Sequence, residues 1–299
     1  MSDFIDDPFH AGERLAQARA GVAPQVAAIR DWMPDQHRLF FADLSFVLAA
    51  TATDDGWPIA TLLTGPPGFI ASPDARTLRI AALPDAGDPA APWFEPGAAI
   101  GLLGIDLATR RRNRANGTIA AVAAGGITVA VKESFGNCRQ YIRVRAVVPA
   151  AATAAAPEWL DRLDGEARAA IAAADTLFVA SRGPQGGGID VSHRGGNPGF
   201  VRLDGDTLTI PDYPGNRYFN TLGNLLLDPH AALLVPDFAS GDLLHLQGRA
   251  EIVWQIPEAE RGDGAERLWR LAVTRAWRRR GVGLCAAQLG SGQRASRAR

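Results

Sequence analysis

Short apolar runs, cut by glycine, proline and aspartate turns, set the pattern of this chain. Phe46 to Thr53 is apolar and β-branched and ends at the turn Asp54-Asp55-Gly56. Ile59 to Thr64, Thr77 to Ala82 and Ala98 to Ile105 continue in the same style. Thr118 to Ala123 and Ile127 to Lys132 flank Ala124-Gly125-Gly126 as a hairpin, and Tyr141 to Val148 reads as a last strand. Short strands at this spacing, joined by such turns, predict a small antiparallel barrel. Ahead of them, His10 to about Met33 carries apolar residues at helical spacing, which Gly21 and Pro24 split into two helices. Pro34 to Ala42 adds a further helical turn or two.

Beyond the alanine- and proline-rich stretch Pro149 to Pro157, which reads as a linker, Glu158 to Ala174 predicts a helix with a break at Gly165. The strand pattern then returns: Leu177 to Ser181, Gly188 to His193, Gly199 to Leu203, Thr207 to Ile210, Ala231 to Pro236 and Leu243 to Trp254. Arg261 to Arg280, with Trp269, Leu271, Val273 and Trp277, predicts a terminal helix, and the tail from Ser291 a disordered end.

The two series are one series written twice. Asp43, Gly68, Thr77, Asp106 and Gly117 recur as Asp175, Gly199, Thr207, Asp237 and Gly248, at offsets of 132, 131, 130, 131 and 131 residues. A repeat this long is a duplicated globular domain, since solenoid units are shorter. The expected division is an N-terminal helical segment over 1–42, a first barrel over 43–148, and a linker and helix over 149–174. A second barrel follows over 175–255, then a C-terminal helix and tail over 256–299. The fold class is mainly β with flanking helices (α+β), built on two tandem barrels.

The copies differ where a ligand would be held. Asp85 to Phe94 in the first copy corresponds to Asp212 to Asn224 in the second, and the second version holds Asn216, Arg217, Asn220, Thr221 and Asn224. Asparagine and threonine donate hydrogen bonds without charge, glycine lets backbone N–H groups approach a ligand, and an arginine grips a phosphate with two parallel bonds. The competing reading is a polar loop capping the next helix through Asn220 or Thr221. In the run Asp190 to Phe200, alternation puts Asp190, Ser192 and Arg194 on one strand face and Val191 and His193 on the other. Ser192 and His193 therefore cannot act as a nucleophile pair. The first copy instead carries Arg110, Arg111, Arg112 and Arg114, which either reach an anion held by the second copy or protect a strand edge.

Composition removes several classes. A formal net charge of −1 gives no global field toward nucleic acid or an anionic membrane. Hydrophobic content is 47%, with no long apolar stretch. The acidic start Met1-Ser2-Asp3-Phe4-Ile5-Asp6-Asp7 is unlike a secretory signal, so a cytoplasmic location is expected. Cys138 and Cys285 give neither a disulfide framework nor a metal spacing. Arg139 beside Cys138 leaves a redox role for that thiol open. Lys132 is the only lysine, against 30 arginines, which disfavours Schiff-base chemistry. The loose glycine pattern at Gly281 to Ala286 has too little chain after it for a dinucleotide-binding unit.

The run from Gly215 to Leu225, followed by Asp228-Pro229-His230-Ala231-Ala232-Leu233-Leu234-Val235-Pro236-Asp237, resembles the flavin-binding core of pyridoxamine 5′-phosphate oxidase-like proteins. Phe9 to Glu13, Ser134 to Cys138 and Ser192 to Gly196 are similar to segments of that family's long tandem branch of predicted flavin-nucleotide-binding proteins. The likeness spans nearly all of residues 9 to 255. It implies split β-barrels with FMN in a cleft between two of them, usually supplied by a homodimer. Here the duplication supplies both from one chain, with one complete site and one degenerate one, and a homodimer stays open. By position, Asn216, Arg217, Asn220 and Thr221 hold the phosphate and Asp190, Ser192 and Arg194 lie along the ring system. Asp212 falls near the ribityl chain or ring edge, and Arg112 and Arg114 close the cleft from the first copy. The family's Arg-Leu-x-Pro ending and a lysine near the phosphate are absent, which argues against pyridoxamine phosphate as substrate. The expectation is an FMN-dependent oxidoreductase acting on an unidentified small molecule, with no catalytic residue assigned. The alternative is a non-catalytic flavin- or haem-binding protein on the same fold.

Overall fold

The computed structural model describes residues 4–23, 27–150, 156–184, 188–262 and 264–287. The expected disordered tail lies outside them, as does much of the linker. A first helix, α1 (Ala11–Arg19), precedes the first copy. That copy comprises α2 (Asp35–Ala42), β1 (Phe46–Ala52), β2 (Pro58–Thr64), β3 (Ile70–Asp74), β4 (Thr77–Ile80), β5 (Ala99–Asp106), β6 (Arg111–Ala123) and β7 (Gly126–Gly136). After β8 (Val147–Pro149) and β9 (Glu158–Leu160), the second copy comprises α3 (Gly165–Ala173), β10 (Thr176–Arg182), β11 (Ile189–Gly195), β12 (Arg202–Asp204), β13 (Thr207–Asp212), α4 (Asn220–Leu227), β14 (His230–Pro236), β15 (Leu243–Val253) and β16 (Arg267–Arg279). Strand β17 (Leu284–Ala286) pairs with β8.

Both sheets follow one path. The first runs β2-β1-β5-β6-β7-β4-β3 and the second β11-β10-β14-β15-β16-β13-β12, so replacing each strand by its counterpart converts one order into the other. Register agrees as well, with β1 and β10 aligned at an offset of 130, so that Asp175 matches Ser45 and not Asp43, the landmark it pairs with in the sequence. Leu103 faces Arg114 as Leu234 faces His245, and Val47 faces Leu63 as Leu177 faces Arg194. The repeat also reaches beyond the strands. Helices α2 and α3 are counterparts, and the bridge between Arg30 and Ser134 corresponds to the pairing of Leu160 with Ala276.

All seven strands of the first sheet feed one core, from Val47 and Leu63 through Ile70, Leu78, Leu102 and Ala115 to Val129, so the sheet wraps around it. A second core fills the other sheet. A third joins them. On β1, Val47 and Ala49 point into the first core while Phe46, Leu48 and Ala50 point into the seam; on β10, Leu177 and Val179 face inward while Phe178 and Ala180 meet the seam. These strands are apolar throughout because both faces are buried. Gly101 on β5 is part of that fit. A Cβ there would lie 2.4 Å from the Ile189 carbonyl oxygen, so only glycine lets the two backbones come this close.

Four expectations are corrected. Arg261 to Arg280 is not a helix. Its residues 267–279 form β16, the central strand between β15 and β13, so the second barrel extends past 255. Trp269, Val273 and Trp277 fit a four-residue period as well as a two-residue one; Leu271, fully buried between two of them, belongs to the strand period. Tyr141 to Ala146 is not a strand, and only Val147–Pro149 pairs. It is a strap leaving the first barrel, with Tyr141 in the left-handed region at φ 62°. The second predicted helix before Met33 does not form among the described residues, and Glu158 to Leu160 is strand instead of helix.

Candidate functional site

A cleft of about 860 Å³ opens where β11 and α4 of the second barrel meet β6 of the first. Ser192, Arg194, Asp212, Asn216, Arg217, Asn220, Thr221, Arg112 and Arg114 all line it. Asp190 does not; its carboxylate lies under the floor, with both oxygens engaged. Asn116 donates to Oδ1 at 2.8 Å, Arg114 donates to Oδ1 at 3.1 Å, and Asn224 donates to Oδ2 at 3.0 Å. The expected ring-side position of Asp190 is thus replaced by one in which it fixes Arg114.

Arg114 is the hub. Its side chain is 3% exposed and crosses from the first barrel to the second. It donates to Asn220 Oδ1 at 2.9 Å and to Ser192 Oγ at 2.5 Å, and lies over the Phe135 ring at 5.1 Å. Thr221 Oγ1 donates to Ser192 Oγ at 2.9 Å. Strand alternation sends Arg112 and Arg114 to the cleft and Arg111 to the other side, over Phe40. Arg112 donates to the Cys138 carbonyl at 2.6 Å, and its guanidinium is 3.2 Å from His193 Nδ1. As alternation requires, His193 turns away from Ser192 and meets the Phe178 ring in the seam. Burial holds its pKa well below the ordinary value, reinforced by Arg112, Arg194 and Arg145, so the imidazole is neutral.

The loop ahead of α4 is unusual. Arg217 and Phe219 are both left-handed, at φ 59° and 60°. Phe219 is the N-cap residue and makes no side-chain cap, so neither Asn220 nor Thr221 caps the helix. Their side chains are committed to Glu13, Arg114 and Ser192 instead. An uncapped helix start facing arginines is suited to an anion. Arg217 pairs with Glu266 at 3.1 Å on the rim. Asp212 holds Arg267 at 3.0 Å and Arg194 at 3.7 Å.

Helix α1 backs α4 from behind the cleft. Gly12 and Gly223 let α1 cross α4 in contact, since a Cβ on Gly12 would sit 2.2 Å from the Gly223 carbonyl oxygen. His10 Nε2 lies 2.8 Å from Asn224 Oδ1, and Glu13 accepts from Asn220 and from the His10 N–H. Burial, with the Asp190 charge adding to it, pushes Glu13 up to about 8. The same two causes push Glu133 up to about 7.

Register locates the twin of this site. His245 stands where Arg114 does, Gln247 where Asn116 does, Trp277 where Phe135 does, and Ile59, Thr61 and Leu63 where Asp190, Ser192 and Arg194 do. Protein fills it. Ile59, Leu63 and Trp277 belong to the first core, His245 stacks on Trp277 at 4.9 Å, and Arg279 donates to a buried Asp88 at 2.8 Å.

The sequence reading assigned no site role to Arg267, Tyr213, Asn137, Gln140 or Tyr141, which also line the cleft, or to His10, Glu13, Asn116 and Asn224 behind it, although Asn224 and the segments Phe9 to Glu13 and Ser134 to Cys138 stood out in it. Arg267 was masked by the helical reading of its strand. The partners of Asp190 come from β6 of the first barrel and α4 of the second, a convergence only the fold reveals.

Residues 163–280 match the family model described as pyridoxamine 5′-phosphate oxidase. A search of curated proteins finds no match to the chain. Among solved structures, the chain is similar to HupZ of Group A Streptococcus, at 16% identity and a TM-score of 0.32, over 42% of this chain and 98% of that one. It is also similar to HutZ, a heme storage protein from Vibrio cholerae, at 15% identity and 0.31, over 41% and 97%. A third likeness is to a FAD-binding protein from Mesorhizobium loti, at 14% and 0.29, over 41% and 96%.

Proposed function

With residues 163–280 carrying the pyridoxamine 5′-phosphate oxidase family match, we propose that this chain binds FMN in the cleft between its barrels and serves as an oxidoreductase for a small molecule. The observation that carries the reading is a set of buried donors that both barrels contribute to the cleft lining. Arg114 Nε, Arg194 Nε and Asn137 Nδ2, all on cleft-lining residues, have no hydrogen-bond partner within the protein. Arg112, Arg217 and Arg267 add charge around the uncapped start of α4. A dianionic phosphate on a flat, polar-edged ring suits that donor set.

In this reading Asn216 and Arg217 take the phosphate together with the backbone N–H groups of Asn220 and Thr221 at the start of α4, two residues whose side chains already serve Glu13, Arg114 and Ser192. Ser192 and Arg194 lie along the ring system, and Arg112 and Arg114 close it from the first barrel. Asp190 and Asp212 act through others, holding Arg114, and Arg194 with Arg267, in place. Bound FMN would supply the electron-carrying chemistry that these side chains lack. The seam's apolar walls, Leu103 and Leu222 among them, keep water from the site.

The test is a purified, untreated protein. Flavin absorbance that a nicotinamide cofactor bleaches and air restores supports the proposal; flavin that no reductant turns over makes the chain a flavin carrier. Arg217→Ala should weaken FMN binding by about 1.5–3 kcal/mol, the worth of a charge-assisted hydrogen bond, and unchanged affinity removes Arg217 from the site. A second reading, haem binding, is disfavoured: His193 borders the cleft, but Arg112 donates to its Nδ1, so the neutral ring carries its proton on Nε2 and offers iron no free lone pair. A Soret band lost in His193→Ala would favour it.

A further inference from the structure

A second, larger groove adjoins the cleft. It holds about 1560 Å³ and shares Tyr141, Tyr213 and Pro214 with it as a common wall. The two tyrosine rings stack nearly parallel, with centroids 4.8 Å apart and planes at 17°. Tyr141 is 39% exposed and sits in the left-handed backbone region, a strained conformation for a bulky residue. Beyond the pair, the groove has an apolar bed of Ile142, Phe200, Pro211 and Leu268. Two guanidiniums stand in its lining. Arg143 lies 3.6 Å from Asp175, and Arg202 lies 3.6 Å from Glu260. Both are about half exposed, and at these separations neither is locked in a tight ion pair.

We infer that this groove is the holding site of the second reactant, a planar aromatic acid, which reaches the cofactor cleft past the Tyr141–Tyr213 pair. A flat ring matches the apolar bed and the stacked phenols, and a carboxylate matches the two half-exposed guanidiniums of the lining. The strap built by residues 141–146 supplies both Tyr141 and Arg143, so one segment joins the ring-binding and charge-binding parts. This inference rests on the flavin reading for what lies beyond the wall, but not for the groove itself.

The two are separated by a probe that needs no flavin. Binding of 2-naphthoate to the full-length protein is followed by saturation-transfer NMR, with and without FMN, beside its neutral analogue 2-naphthamide. The expected result is naphthoate binding in both states, weakened about tenfold or more in the amide and in the Arg143→Gln/Arg202→Gln double variant. Tyr141→Ala should weaken both ligands, and FMN affinity of the Arg143→Gln/Arg202→Gln double variant should stay within about twofold of the parent's. These residues are at the surface, and matched circular dichroism melts check that the variants fold. Naphthoate that binds the double variant as well as the parent, or does not bind the parent, overturns the inference. Naphthoate binding as expected without any FMN affinity overturns the cofactor assignment alone.

Discussion

Arg114 carries the largest consequence of any single residue. It is the only cation in contact with Asp190 among the described residues, and Glu13 and Glu133 add two more carboxyls around that aspartate. Removing it leaves a buried carboxylate uncompensated, which typically costs about 3–5 kcal/mol. Arg114→Ala should lose that much in urea unfolding; a loss below about 1 kcal/mol contradicts the assignment of a buried hub. Glu13 gives a pH test. Its folded pKa of about 8 lies above its ordinary 4.5, so the folded chain binds that proton more tightly than the unfolded one. Its stabilising contribution is complete below 4.5 and is lost as pH rises through about 8. Glu133, raised to about 7, acts in the same direction. His37 and His245, held near 4 and 3 by burial, act in the opposite direction and lose stability as pH falls below their ordinary 6.5. Glu13→Gln should therefore flatten the decline in unfolding free energy between about pH 6 and about pH 8 by about 1–2 kcal/mol. A parallel, merely offset curve would refute the raised pKa.

At the scale of elements, α1 and α4 touch through glycine on both sides. A Cβ at Gly223 would lie 2.6 Å from the Glu13 Cα, with backbone and not a flexible tip in the way. Gly223→Ala should cost about 1–3 kcal/mol by overpacking, and should weaken cofactor binding because Asn220 and Asn224 lose Glu13 and His10. Intact affinity in a destabilised Gly223→Ala protein would show that α1 is only a brace. Two strands of each copy, β1 and β5 and their counterparts β10 and β14, were readable from sequence because both of their faces are buried, which writes them as apolar runs. Strand β16 was not. Its eleven described partners on β15, Leu243 to Val253, precede it across a long connection instead of a tight turn. That connection breaks the constant offset and also brings Glu266 to Arg217 and Arg267. The polar face of β11 and the asparagine-rich loop were visible as differences between the copies. That Asp190 serves Arg114 from beneath, and that His10 and Glu13 stand behind α4, depends on contacts more than 70 residues apart in sequence.

At the scale of the molecule, the duplication makes a pseudo-twofold pair within one chain, and its two clefts have diverged. One is lined by arginines with unpaired buried donors; the other is filled by Ile59, Leu63 and Trp277. Trp277→Ala should destabilise by about 3–5 kcal/mol, as removal of a large core residue does, without creating a second nucleotide site, because His245 and Leu63 replace the arginines there. Among the described residues no helix is long and apolar enough to cross a membrane. The most direct measurement is a titration of the flavin-free, full-length chain with FMN, read by quenching of flavin fluorescence alongside the particle mass. The account predicts saturation at one FMN per chain, at the mass of a single chain as well as in any larger assembly. No binding, saturation at two per chain, or binding only when two chains associate would contradict it.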